Sequence, residues 1–163
     1  MIVYQTDTRG IRAEQLKGFF VGWASPPRPE THLRILNGSD YICLALDTDR
    51  DGVVGFITAI TDGVLTAYIP YLEVLPDWQD RGIGTELTRR MFEQLGDYYA
   101  VDLLCDPSLN PFYERFRMLP VSGMMLRRYE LQGGRTRPAA PQNAARQPSL
   151  MEKLLARFLG KSD

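Results

Sequence analysis

The sequence predicts an α/β domain, because strand-like and helix-like segments alternate along it. Two Asp-Gly pairs, at residues 51–52 and 62–63, separate neighbouring apolar segments and are strong hairpin signals, so we expect an antiparallel meander. After the meander, a glycine-bearing loop at residues 79–84 joins an apolar strand directly to an amphipathic helix. This junction is the most informative part of the chain.

The N-terminal half is expected to contain a strand, two short helices and the meander. Pro29 is tolerated in the first turn of a helix and Gly38 is typical of the position just beyond its end, so these residues bound the second helix. The predicted elements are a strand at residues 2–5, helices at 13–20 and 29–37, and strands at 41–47, 52–60 and 65–74.

The following part begins with the helix after the glycine-bearing loop, which is expected at residues 84–95. Its apolar residues lie one turn apart, at Ile83, Leu87, Met91 and Leu95. Gly96 supplies the stop signal. A buried strand at residues 99–104, a short helix at 111–116 and a final strand at 124–131 complete the predicted domain.

The loop at residues 79–84 has the features of a phosphate-binding site. Glycine permits close approach of the backbone to a ligand, and the first turn of the next helix offers unpaired N–H groups at the positive end of its dipole. A dinucleotide fingerprint would need a glycine where Leu87 stands, and a nucleotide P-loop would need a lysine where Thr85 stands. The sequence therefore predicts a different anionic ligand.

The remaining pattern, Gln-x-Arg-Gly-x-Gly, resembles the pyrophosphate loop of the GNAT superfamily, the acyl-coenzyme A-dependent N-acetyltransferases. A second signature of that family, a strand leading to a short helix with an aromatic-Tyr pair, is matched by residues 101–105 and by Phe112-Tyr113. The resemblance spans about residues 2–129. It implies the GNAT fold, a mixed and mostly antiparallel sheet that is splayed between two strands and carries helices on both faces.

The resemblance also implies acetyl-coenzyme A as co-substrate and assigns residues to it. Free backbone amides of Leu72, Glu73 and Val74 are expected to bind the coenzyme, with Val74 directed at the acetyl oxygen. The loop and the helix N-terminus would hold the pyrophosphate, and Arg81 would add positive charge. The expected coenzyme-binding residues are Leu72, Val74, Gln79, Arg81, Gly82, Ile83, Gly84, Thr85 and Asn110.

Candidate catalytic residues follow from the chemistry of acetyl transfer, which needs a proton for the leaving thiolate and a neutral amine. Tyr113 matches the family's proton donor, although a packed aromatic is the alternative. Glu73 is the first choice for the base, because it alternates with its neighbours on the strand and faces the acceptor side; an ion-pair role is the alternative. Trp23, His32 and Tyr71 are expected to bind the acceptor, and His32 is the second candidate base. The alternatives are a core position for the two aromatic residues and a solvent-exposed helix position for His32.

The predicted function is transfer of an acetyl group to a primary amine, of a small molecule or a peptide, by direct attack in a ternary complex. A non-catalytic acyl-coenzyme A sensor and a protein-interaction module are the alternatives. No metal is expected: residues 47–52 match the start of an EF-hand loop, but the twelfth position is Thr58 instead of a bidentate Glu, and strands flank it.

Composition supports one soluble globular domain, with 163 residues, 44% apolar content and a formal net charge of −1. No basic face for nucleic acid, no apolar run of about 18 residues and no N-terminal signal pattern is evident, so we expect a cytoplasmic protein that binds neither nucleic acid nor membrane. Cys43 and Cys105 lie in apolar runs and are expected to be reduced core residues.

Three regions are expected: an acetyltransferase domain at residues 1–132, a flexible linker at 133–148 and an amphipathic helix at 149–163. Ser149 and Glu152 fit a capping box at the start of that helix. A helix this short is not stable alone in water, so its apolar stripe needs a partner. We expect it to pack on its own domain or on a neighbouring subunit of a homodimer; a separate protein or a membrane surface is the alternative.

Overall fold

A five-stranded mixed sheet forms the centre of the protein in the computed structural model, which describes residues 1–134. The strands lie in sequence order; the first four are antiparallel and the fifth is parallel to the fourth. They are β1 (Ile2–Gln5), β2 (Tyr41–Asp47), β3 (Gly52–Thr61), β4 (Thr66–Val74) and β5 (Ala100–Leu103). The predicted meander is confirmed.

The turn between β3 and β4 shows why the Asp-Gly signals succeed. Gly63 takes a φ of +77°, which side-chain-bearing residues rarely adopt. The carboxylate of Asp62 accepts the backbone amides of residues 64–66 at 2.8–3.0 Å. These local interactions need no distant partner, so the turn is readable from a few residues.

Within residues 1–134, three α-helices and several 3₁₀ turns surround the sheet. The helices are α1 (Pro29–Gly38), α2 (Ile83–Gln94) and α3 (Asn110–Glu114). The 3₁₀ turns are Ala13–Leu16, Pro76–Trp78, Pro107–Leu109 and Tyr129–Leu131. Helix α2 packs on one face of the sheet, and α1 with the turn Ala13–Leu16 covers the other. The expected mixed sheet with helices on both faces is confirmed.

Each face of the sheet has its own apolar core. The α2 face buries Leu87 and Met91 against strand residues such as Ile57, whereas the α1 face buries Phe56 against Leu16 and other residues. At Gly55 the α2 layer comes so close that a Cβ would lie 3.1 Å from the Leu87 side chain. A larger residue there would push α2 away from the sheet, so Gly55 sets the position of the helix.

The sheet is splayed between its last two strands. Strand β5 pairs with β4 only over residues 66–69, and β4 then continues to Val74 paired with β3 alone. One edge of the C-terminal half of β4 therefore lacks a strand partner within the described residues. The splayed sheet expected from the resemblance is confirmed.

The predicted final strand at residues 124–131 is wrong. Residues 118–128 have no regular secondary structure, and the side chain of Met124 is 99% exposed. The backbone then bonds locally, since the amide of Leu131 donates to the Arg128 carbonyl in a 3₁₀ turn. A strand forms only against a partner edge, and the apolar run at residues 124–126 does not lie on one.

The predicted helix at residues 13–20 is also wrong in extent, because regular structure stops at Leu16. Gly18 and Phe20 both have positive φ, at +87° and +62°, which ends a right-handed helix. Phe19 and Phe20 instead insert into the α1-face core. The helix expected at residues 149–163 lies outside the described residues, as does the linker except for Gly133 and Gly134.

None of the helices in the described residues has the length and apolar character required to cross a membrane. The cysteines are both free thiols: Cys43 is buried in the α2-face core, and Cys105 is half-buried after β5.

Candidate active site

The glycine-bearing loop forms a cradle between the end of β4 and the start of α2. Gly82 is the N-cap of α2 and has a φ of +77°, while Asp80 has a φ of +57°. The Gln79 side chain donates to the Val74 carbonyl at 3.0 Å and so ties the loop to β4. Between residues 1 and 134, no backbone acceptor pairs with the amides of residues 80–82, and the first amides of α2 have no intrahelical partner. These amides are available to an anion.

The end of β4 adds further free amides. The amide of Leu75 donates to the Val54 carbonyl of β3 at 2.9 Å. Because successive amides of a strand alternate in direction, the Glu73 amide also points to β3. The amides of Leu72 and Val74 face the opposite edge, where β5 has diverged. The expectation of a free amide at Glu73 is therefore wrong, and two amides remain.

A cavity of about 530 Å³, which we call the loop cavity, lies between this edge, the loop and α3. Seven residues expected to bind the coenzyme line it: Leu72, Val74, Gln79, Gly82, Ile83, Gly84 and Thr85. Two others do not line it. The Arg81 guanidinium donates to the Asp77 carbonyl at 2.8 Å and lies over the Trp78 ring, whereas the Asn110 side-chain oxygen lies 3.8 Å from the Cys105 sulfur.

The loop cavity also contains residues that the sequence reasoning missed, among them Trp78, Leu109, Phe112 and Arg115. The Arg115 guanidinium lies 4.8 Å from the centre of the Phe112 ring and its Nε donates to the Phe112 carbonyl. Arg115 therefore supplies the positive charge at the cavity wall that was expected of Arg81. The spacing of three residues between Phe112 and Arg115 is the signal that could have indicated one helix face.

Tyr113 lines the loop cavity from α3 and is only 9% exposed. Its ring stands edge-on to Phe112, with 4.9 Å between centroids. Burial, with a smaller contribution from the Cys105 thiol, raises the pKa of Tyr113 to about 12. Its hydroxyl is therefore protonated throughout the neutral range and is a weak acid.

A second cavity, of about 550 Å³, lies on the other face of the sheet, and we call it the α1 cavity. Its walls come from three distant parts of the chain: Trp23, Pro27, Thr31, Arg34, Ile35, Asn37, Gly38, Tyr71, Leu131, Gln132 and Gly134. The rings of Trp23 and Tyr71 are 6.4 Å apart and inclined by 57°. The structure thus brings Trp23 and Tyr71 together in one cavity wall, and their role in binding the acceptor stays a prediction.

Glu73 projects to the same face as Tyr71, two residues away on β4. Its carboxylate is occupied, because Oε2 accepts the Phe20 amide at 2.8 Å and Oε1 accepts the Val21 amide at 3.0 Å. Glu73 is not among the residues that line either cavity. Its role as a base stays a prediction that these contacts do not test.

His32 is separated from both cavities. It is 1% exposed and is surrounded by aromatic rings, the nearest being Phe56 at 4.3 Å between centroids. Neither ring nitrogen has a hydrogen-bond partner within the described residues. Burial lowers the pKa of His32 to about 4. The nearby Leu16 backbone raises this pKa, but its effect is smaller than that of burial. The histidine is thus a neutral core residue beneath the α1 cavity.

Metal ligands do not cluster in the part of the chain that the structure describes: no group of three or more His, Cys, Asp or Glu side chains there could hold an ion. The EF-hand-like residues 47–52 form the turn between β2 and β3.

Comparison with known proteins places these features in context. The model of the acetyltransferase (GNAT) family matches residues 8–117, which include β2 to β5, the loop and α3. The uncharacterized N-acetyltransferase ycf52 of Pyropia yezoensis is 25% identical over 118 residues, covering 69% of this chain and 68% of the relative.

Solved structures show the same architecture. A protein of Deinococcus radiodurans R1, described as an acetyltransferase, is 47% identical with a TM-score of 0.79, covering 82% of this chain and 92% of that one. A GNAT-family acetyltransferase of Streptococcus pneumoniae TIGR4 is 27% identical with a TM-score of 0.64, covering 78% of this chain and 98% of that one.

Proposed function

The chain belongs to the acetyltransferase (GNAT) family and is an N-acetyltransferase, and we propose that it moves the acetyl group of acetyl-coenzyme A to a primary amine by direct attack. One observation carries this proposal. The loop cavity and the α1 cavity lie beside adjacent residues of β4, because Leu72 lines the first and Tyr71 lines the second. Two ligands bound there would approach one strand from opposite faces.

The residues of the loop cavity fit acetyl-coenzyme A. The loop and the first turn of α2 present unpaired amides suited to a pyrophosphate, and Arg115 adds a positive charge. The open edge of β4 presents the amides of Leu72 and Val74 to the acyl arm. The cavity volume of about 530 Å³ is within the range of small-molecule sites.

The coenzyme supplies an activated thioester, and the protein positions groups around it. The Val74 amide, at the unpaired strand end, is suited to stabilise negative charge on the acetyl oxygen. Tyr113 is the proton donor we propose for the thiolate side. Its pKa of about 12 lies some three to four units above that of a thiol, so proton transfer costs about 5 kcal/mol unless it is coupled to product departure.

The acceptor we propose is a primary amine, of a small molecule or a peptide, bound in the α1 cavity. Trp23 and Tyr71 provide aromatic walls for its hydrocarbon part. We further propose a cytoplasmic location, which the two free thiols of Cys43 and Cys105 support, since reduced cysteines are the rule there.

The experiment has two steps. Calorimetric titration with acetyl-coenzyme A, with NADH and ATP as controls, should give selective binding at micromolar concentration. Release of coenzyme A thiol is then measured with four amines: spermidine, glucosamine 6-phosphate, lysine amide and a peptide with an N-terminal alanine. Coenzyme binding with turnover of at least one amine is expected. Absence of coenzyme binding would overturn the proposal.

A further inference from the structure

The carboxylate of Glu73 fills an anion-binding turn that precedes the wall of the α1 cavity. The consecutive amides of Phe20 and Val21 converge on its two oxygens at 2.8 and 3.0 Å. Phe20 has a φ of +62°, in a region uncommon for a residue with a side chain. Successive N–H groups around such a residue form a concavity that binds anions. Here the anion belongs to the protein itself.

This turn determines where Trp23 lies. The Trp23 amide donates to the Phe20 carbonyl at 3.2 Å, and Gly22 between them has a φ of +82°. The Trp23 ring packs edge-on to Phe20 at 5.1 Å and stands 6.4 Å from Tyr71. The hydrogen bonds from the Phe20 and Val21 amides to Glu73 therefore also fix the position of Trp23 in the wall of the α1 cavity.

We propose that Glu73 is a positioning residue for the acceptor amine. This role rests on the proposed function. It holds the turn at residues 20–23 so that Trp23 faces Tyr71 across the α1 cavity. A catalytic base would have to take up a proton on an oxygen that already accepts a backbone amide. Protonation would weaken the hydrogen bonds that close the turn, so a base role and a positioning role conflict.

The first test needs neither coenzyme nor acceptor. Glu73→Gln has the same shape but presents an NH₂ group to one of the two amides, so one hydrogen bond is lost. Hydrogen exchange at the amides of Phe20 and Val21 should accelerate at least about tenfold, the equivalent of one hydrogen bond to a charged group. The matched control is Asp62→Asn, which loosens the β3–β4 turn and should leave these amides unchanged. Unchanged exchange in Glu73→Gln would overturn the proposal.

The second test separates positioning from proton transfer, using the amine among the four that the wild-type protein turns over fastest. Glu73→Gln should raise the acceptor KM about tenfold and keep kcat within about twofold. The acidic limb of the pH profile and the Kd for acetyl-coenzyme A should be unchanged, because no base is lost. A fall in kcat of about 100-fold or more with loss of that limb would identify a base and overturn the proposal.

The two tests fail in distinguishable ways. If the wild-type protein turned over no amine, the proposed function would fail and the acceptor role of Glu73 with it. If turnover were present and Glu73→Gln altered neither exchange nor KM, only the positioning role would fail.

Discussion

The loop cavity and the α1 cavity are similar in size, but the chain builds them in different ways. The loop cavity takes most of its lining from residues 72–85, which include the unpaired backbone amides of the loop and of the first turn of α2. The α1 cavity is lined by residues 23–38, by Tyr71 and by residues 131–134. The loop cavity can hold a ligand through local backbone, whereas the α1 cavity brings together side chains from distant segments.

The strongest way to break the loop cavity alone is Gly82→Glu. It would place a negative charge against the pyrophosphate of a coenzyme bound as proposed, and like charges at an interface cost several kcal/mol. We expect at least a roughly 1000-fold loss of affinity for acetyl-coenzyme A by calorimetry. The matched control is Gly63→Glu, since Gly63 has the same φ of +77° and equally open surroundings, but lies in the β3–β4 turn. Equal affinity in the two variants would contradict the cradle.

Acid should affect the α1 side of the molecule through His32. Its pKa is about 4 in the folded protein and 6.5 in the unfolded chain, so the unfolded state takes up the proton first. Stability should therefore fall as the pH decreases from 6.5 to 4, by about 3 kcal/mol. Urea unfolding at pH 7 and pH 4 measures the effect. In His32→Leu, the part of the stability loss that comes from protonating His32 should be absent. An identical pH dependence of the free energy of unfolding in the wild-type protein and in His32→Leu would show that His32 is not a buried neutral group.

Tyr113→Phe tests chemistry in the loop cavity without changing its shape. We expect kcat to fall on the order of 100-fold if the hydroxyl protonates the thiolate, with an unchanged Kd for acetyl-coenzyme A. No ionisation of Tyr113 should be visible below about pH 10, because its pKa is about 12. The control is Tyr98→Phe, which removes a hydroxyl that lies 3.2 Å from that of Tyr41. A normal kcat would leave Tyr113 as a packing residue.

Trp23→Ala tests the α1 cavity and should have the smallest effect. Removing the aromatic wall is expected to raise the acceptor KM about tenfold, which corresponds to losing part of the apolar area that Trp23 would bury against a bound acceptor. The Kd for acetyl-coenzyme A should not change. Tyr99→Ala is the control, because Tyr99 is 89% exposed. Weaker coenzyme binding in Trp23→Ala would mean that the two cavities are not independent.

The difference between the cavities also explains which predictions succeeded. Turns, helix ends and the glycine loop follow from a few neighbouring residues, so the meander and α2 could be read from the sequence. The strand expected at residues 124–131 failed because pairing depends on a distant edge. The Arg81 guanidinium lies over the Trp78 ring, a contact that the motif alone does not reveal.

His32 shows a signal that was present but not used. It lies four residues before Leu36, and both side chains are buried on one face of α1, whereas Thr31 and Ile35 line the α1 cavity. Helical spacing could therefore have assigned His32 to the core. The hydrogen bonds to the Glu73 carboxylate could not have been found this way. Phe20 and Glu73 are far apart in sequence, and only the tertiary fold brings them into contact.

The most direct measurement is an NMR titration of the ¹⁵N-labelled protein with acetyl-coenzyme A. We expect amide signals to shift at Leu72 and Val74, on the open edge of β4, and at residues 80–85, where the loop and the first turn of α2 carry amides without a backbone partner in the described residues. The amides of the α1 cavity, such as those of Thr31 and Ile35, should shift little before an amine is added. Shifts confined to the α1 cavity, or no shifts at all, would contradict the assignment of the loop as the coenzyme site.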